Sequence, residues 1–112
     1  MSQIDTFEAM LARGQDSEML RYTLGNAYWQ AKDYAKAEEH LRQAITLKDD
    51  YSAAWKVLGR VLAEAGKPDQ AKTAFEHGLE AADRNGDKQT AKEMTVFLRR
   101  VNKTLDQAPD NS

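Results

Sequence analysis

Few side chains in this sequence are equipped for catalysis, and their spacing gives none of them a catalytic part. There is no cysteine, which removes thiol nucleophiles, disulfides and cysteine-based zinc sites together. Ser2, Ser17, Ser52 and Ser112 stand in no context that activates a hydroxyl. His40 and His77 are far outside the three- or four-residue spacing by which a helix offers two ligands to one metal. Both are expected as surface or boundary residues on second helices, away from any binding groove. Glu38-Glu39 and Asp49-Asp50 read as solvated faces and helix ends. Glu18 and Asp87 suit helix N-termini, where free N–H groups favour negative charge. The six glycines are scattered rather than gathered into a phosphate-binding loop. No catalytic residue, cofactor or metal is expected. Met19, Tyr22, Asn26 and Trp29 are different. Their steps of three, four and three put one exposed stripe on a helix, and Tyr and Trp are over-represented among residues that dominate binding energy.

The elements that position this stripe follow from a shift of the chain against itself. At an offset of 34 residues, Leu24 meets Leu58, Gly25 meets Gly59, Ala31 meets Ala65 and Ala37 meets Ala71. Similar residues keep the offset: Tyr28 with Leu62, Leu41 with Phe75, Ile45 with Leu79, and the small pair Ala44 and Gly78. Small and large residues recurring in matching places mark a repeated structural unit. Leu24, Tyr28 and Ala31 make one apolar helix face, and Ala37, Leu41, Ala44 and Ile45 make another. Lys32-Asp33 separates them, with Asp33 suited to cap the second helix. In the second copy the break is Gly66-Lys67-Pro68-Asp69. Gly66 suits the left-handed helix end and Pro68 the first turn of the next helix. Gly25, Gly59, Ala37 and Ala71 let paired helices approach closely.

Trp55-x-x-Leu58-Gly59-x-x-Leu62 followed by Ala71-x-x-x-Phe75 resembles the tetratricopeptide repeat, whose period is 34 residues. The first copy, Arg21-x-x-Leu24-Gly25-x-x-Tyr28 followed by Ala37-x-x-x-Leu41, has Arg in place of Trp. Asp49 and Asp83 replace the family's proline near the repeat ends. The resemblance implies an all-α fold of antiparallel helical hairpins in a right-handed superhelical stack. One domain is expected over 1–106: a leading half-repeat helix at 4–13 (Phe7 and Leu11 keep the register), repeats at 18–51 and 52–85, and a capping helix at 87–106. That helix follows the Asn85-Gly86 turn and carries the stripe Ala91, Met94, Leu98, Val101 and Leu105. Lys92 and Glu93 sit where the repeat would have Leu and Gly. A disordered tail is expected at 107–112.

The resemblance also implies a function. Members bind peptides or protein surfaces along a concave groove lined by the first helix of each hairpin. In this register Met19, Tyr22, Asn26 and Trp29 line it, with Ala53, Lys56, Arg60 and Ala63 beside them, then Asp87, Thr90, Met94 and Phe97. The expected peptide-binding residues are Met19, Tyr22, Asn26, Trp29, Lys56, Arg60, Met94 and Phe97. Tyr22 and Trp29 would be apolar anchors, Asn26 would bond a peptide backbone, and Lys56 and Arg60 would hold a carboxylate. The competing role for Trp29 is packing on the leading helix or a symmetry partner. Some members grip a chaperone's C-terminal carboxylate with a five-residue clamp of Lys, Asn and Arg. Here only Asn26 matches; Tyr22, Val57, Asp87 and Ala91 occupy the other positions and cannot rebuild that charge-assisted network.

Composition bounds the partners. A length of 112 residues suits a single domain. With 30% charged residues and two prolines the chain leans towards helix. The net charge of −2 argues against nucleic acid, which needs a basic surface for counterion release. Only Lys56, Arg60, Arg99, Arg100 and Lys103 could support that alternative. No apolar run approaches the roughly 20 residues that span a bilayer. Met1-Ser2-Gln3-Ile4-Asp5 lacks the basic-then-apolar pattern of a signal peptide. The expectation is therefore a cytoplasmic scaffold or adaptor for an unidentified protein or peptide. The alternatives are a homodimer formed through the exposed terminal helices, the nucleic-acid binder, and an accessory to an enzyme that supplies the chemistry itself.

Overall fold

The computed structural model describes residues 2–107; of the expected tail, Gln107 closes the last helix and 108–112 lie outside the described residues. Six helices follow one another: α1 Gln3–Ala12, α2 Glu18–Gln30, α3 Tyr34–Leu47, α4 Ser52–Glu64, α5 Pro68–Asn85 and α6 Lys88–Asp106. Among the described residues there is no strand. The architecture is an all-α helical repeat.

Local chemistry sets the boundaries. Ser2 and Asp5 form a reciprocal capping box at the start of α1. Ser17 accepts from the Leu20 N–H at 3.0 Å, Asp33 from Lys36 at 3.2 Å and Asp87 from Thr90 at 3.1 Å. Each satisfies a donor that the first helical turn leaves free. α5 has no side-chain cap and opens instead on Pro68, whose missing N–H costs nothing there. The breaks after α2 and α4 repeat as closely as the helices do. Lys32 and Gly66 both take a left-handed φ, 63° and 79°. The N–H of the next residue then bonds back to the last turn, Asp33 to Tyr28 and Lys67 to Leu62, each at 2.9 Å. Glycine enters that conformation freely and lysine does so at a cost.

The hairpins interlock through small-against-large pairs. A Cβ at Gly25 would lie 2.6 Å from Leu41 Cγ, and one at Gly59 would lie 2.4 Å from Phe75 Cε1. The missing side chains therefore let α2 close on α3 and α4 on α5. Leu24, Leu41, Leu58, Leu62 and Phe75 are fully buried in one continuous core. Gly78 makes a third contact of the same kind: a Cβ there would meet Met94 Sδ at 2.4 Å and Trp55 Cβ at 2.7 Å. That cleft seats α6 against the second hairpin. On the inner side α2 packs on α4 and α4 on α6, whereas the backbones of α3 and α5 stay apart and only long polar side chains such as Arg42 and Gln70 reach between them. The stack is therefore curved, with α2, α4 and α6 lining its inner face.

The leading helix is held by a polar cluster that the sequence hides. His40, expected at the surface or a boundary, is only 6% exposed. It stacks on Tyr28 at 5.4 Å, and its Nε2 lies 3.2 Å from Glu8 of α1. Arg21 Nη1 sits 3.1 Å from His40 Nδ1. An arginine can only donate, so Nδ1 accepts, and the neutral ring gives its Nε2–H to Glu8. The Tyr28 hydroxyl also donates to Glu8, at 3.2 Å. His77, by contrast, is exposed and lies on Trp55 at 5.2 Å. Glu38 also differs from the solvated reading, because it joins Arg42 and Lys67 at 2.8 and 3.2 Å and so ties α3 to the start of α5.

Burial first, then the Arg21 charge, pulls the His40 pKa below the ordinary 6.5; Glu8 and Glu39 pull the other way without reversing it. The unfolded chain therefore binds a proton more readily at this site. The stability His40 contributes is complete above about pH 6.5 and is lost as pH falls through the lower folded value. Urea midpoints at pH 7.5 and pH 5 should drop further for the natural chain than for His40→Gln. Equal drops in the two proteins would contradict this assignment.

Candidate protein-binding face

The inner face is built from side chains that the alternate helices α2, α4 and α6 present within a turn of equivalent positions. Arg60 of α4 is its centre. Its guanidinium lies 4.7 Å from the Trp29 ring centroid and 4.5 Å from that of Phe97, so α2, α4 and α6 are joined by a ladder of ring, cation and ring. Such contacts are each worth about 0.5–1 kcal/mol at exposed sites. The sequence left Trp29 either an anchor or a packing residue on α1 or a second molecule. It packs on Arg60, stays half-buried, and donates its indole N–H to Glu64 at 3.1 Å. Glu64 also accepts from the Tyr34 hydroxyl at 3.4 Å. At the other end of α2, Tyr22 leans on Tyr51 with centroids 5.1 Å apart. Met19 remains 69% exposed, and Asn26 is half-exposed between the two aromatic groups along the helix.

Two expected face residues are not available. Met94 is wholly buried, because Gly78 leaves a hole that its thioether fills. It belongs to the packing stripe of α6 and cannot touch a ligand. Thr90 is 8% exposed at the N-terminal turn of the same helix. Two more carry internal duties. Lys56, expected to hold a ligand carboxylate, is paired with Glu93 at 3.0 Å. Asp87 caps α6 and accepts from Ser52 Oγ at 2.7 Å; hydrogen bonds from Thr90 and then Ser52 keep its carboxyl below the usual pKa. Asp87 thus places an anion where the chaperone clamp needs a cation. Arg100, named above only for the nucleic-acid alternative, stands beside this face. Arg100 sits one turn beyond Phe97 and reaches to 5.5 Å from its centroid; the i, i+3 spacing from Phe97 was the available signal.

Among the described residues, no group of three or more His, Asp or Glu is placed to hold a metal. No helix there is long and apolar enough to cross a membrane. What the inner face offers is half-exposed aromatic surface, an oriented guanidinium and polar edges. These are means of binding a protein surface.

Such a curved stack of small-against-large hairpins with a side-chain-lined inner face defines a class, and comparison with known proteins agrees. The tetratricopeptide repeat family profile matches residues 28–93, and the chain belongs to that family. It is 45% identical over 100 residues to a TPR repeat-containing protein of Pseudomonas aeruginosa, covering 89% of this chain and 95% of that one. Among solved structures it resembles protein BPP2914 of Bordetella parapertussis, with 42% identity, a TM-score of 0.81, and coverage of 93% of this chain and 90% of that one. The second TPR domain of human RPAP3, solved with the HSP70 peptide SGPTIEEVD, has 26% identity and a TM-score of 0.76, with 88% and 78% covered.

Proposed function

We propose that this protein is a non-enzymatic adaptor that binds a segment of another protein along the inner face of α2, α4 and α6. The observation that carries the reading is the Trp29–Arg60–Phe97 ladder. It fixes large, half-exposed side chains from three helices in one surface, and rigid aromatic and arginine side chains bind with little loss of freedom. Met19, Tyr22 and Asn26 extend the surface along α2, Tyr22 and Met19 as apolar contacts and Asn26 as a hydrogen-bond donor and acceptor. The peptide-bound RPAP3 domain supports peptide capture by this fold. The clamp positions Tyr22, Val57, Asp87 and Ala91 argue for a different peptide from a chaperone tail.

The test begins with random dodecapeptides displayed on phage and selected on the whole chain. The selected peptides, made synthetically, are then titrated into the natural protein and into Trp29→Ala. The substitution should weaken binding by about 2 kcal/mol, roughly thirtyfold, with the far-ultraviolet helix signal unchanged. Affinity equal to that of the natural chain would remove Trp29, and with it the ladder, from the binding surface.

A further inference from the structure

The ladder has a cavity at its α6 end, of about 210 Å³. Buried Phe75, with Phe97 and Val101, makes its apolar floor. Arg60 and Arg100 stand at the rim, and Glu64 lies at one edge. Both guanidiniums approach the same Phe97 ring, at 4.5 and 5.5 Å. Neither has a carboxylate within ion-pair distance among the described residues. Glu64 lies in the same lining but outside ion-pair distance of both, with its Oε1 accepting from Trp29 and Tyr34, so it offsets their charge only in part.

Two cations over one aromatic ring at the mouth of an apolar cavity suit a ligand that carries an anion beside an apolar group. A guanidinium that uses its flat face on an aromatic ring keeps its N–H edge for hydrogen bonds. That edge matches the two oxygens of a carboxylate. Arg60, set between the Trp29 and Phe97 rings, is already confined, so less freedom is lost when an anion arrives.

We infer that this cavity, within the binding face proposed above and resting on that reading, receives an acidic protein segment: an Asp or Glu carboxylate lies across Arg60 and Arg100 while a neighbouring apolar side chain enters over Phe75, Phe97 and Val101. A run of phosphates fits less well. Glu64 borders the cavity and the chain carries a net charge of −2, so an extended polyanion meets more repulsion than a single carboxylate does. The site uses none of the clamp positions.

The selected dodecapeptides provide the probe. Peptides that bind the natural chain should contain Asp or Glu, and changing that residue to Asn or Gln should weaken binding at least about tenfold. Arg100→Gln, at an exposed position, should lose a similar factor. The two changes together should cost little more than either one, which marks direct coupling. Arg60→Gln should behave alike, with its thermal midpoint measured beside it. Peptides that need Trp29 but are indifferent to both the acidic residue and Arg100 would overturn the acidic cavity and leave the binding face standing. Peptides indifferent to Trp29 as well, or no selected peptide at all, would overturn both. Displacement of a bound peptide by a ten-nucleotide oligothymidine at equal concentration would reassign the cavity to phosphates.

Discussion

Phe75→Ala is expected to remove about 3–5 kcal/mol of unfolding free energy, the range for deleting a buried aromatic side chain. Phe75 is fully buried and touches two structural partners at once. Within its hairpin it fills the space opposite Gly59. Across to α6 its ring lies 6.0 Å from that of Phe97, at 15°. A domain of this size has about 5–15 kcal/mol in total, so the variant would stand close to unfolding. Its thermal midpoint should fall by roughly 4 °C for each kcal/mol lost. Val96→Ala, at a site 42% exposed, is the control and should change stability by less than about 0.5 kcal/mol. Urea titration measures both. A loss below about 1.5 kcal/mol for Phe75→Ala, against the range that core truncation sets, would mean that this ring does not hold the hairpin to the last helix.

Gly59→Ala tests the same contact from the other side, and its sign should depend on what faces it. The added methyl would lie 2.4–2.6 Å from three atoms of the Phe75 ring. A buried ring cannot fold away as the end of a flexible chain can, so the substitution should cost about 1–3 kcal/mol by overpacking. In the Phe75→Ala background the obstruction is gone. Alanine is a better helix former than glycine by about 0.5–1 kcal/mol, so the same substitution should there become neutral or stabilising. This reversal in a double-mutant cycle is the signature of two residues in direct contact. A cost equal in both backgrounds would show that Gly59 is required for some other reason. Gly25→Ala should be milder, because the atoms it meets are the branched end of Leu41, which can turn.

These two residues also show why the fold could be read from the sequence. A close helix crossing needs a missing side chain on one helix and a large one on the other. Gly25 with Leu41 and Gly59 with Phe75 repeat that requirement at a spacing of 34 residues, so periodicity alone places the contact. The candidate face was only partly readable, because its register was carried into a helix that departs from the repeat. Lys92 and Glu93 already marked the departure, and Gly78, smaller than its counterpart Ala44, opens the space that draws Met94 inward. The Trp29–Arg60–Phe97 ladder joins side chains from three helices, and no local spacing announces a stacked cation between two rings. Lys56 was visible as a cation but not as one paired with Glu93, since the partner comes from another helix. His40 was misplaced for a related reason. The cluster that buries it takes Glu8 from the leading helix and Arg21 from the position where the repeat pattern has Trp. Each departure is unremarkable alone, and only the packing brings them onto one imidazole.

A partner held on the inner face of α2, α4 and α6 should reveal itself in NMR shift mapping of a selected dodecapeptide on the isotope-labelled chain. The largest changes are expected at the Trp29 indole N–H and the Nε–H signals of Arg60 and Arg100, with smaller ones at Tyr22 and Asn26. Changes concentrated instead on Arg42, Trp55 and His77, which line the separate cavity of about 390 Å³, with the Trp29, Arg60 and Arg100 signals unmoved, would contradict it.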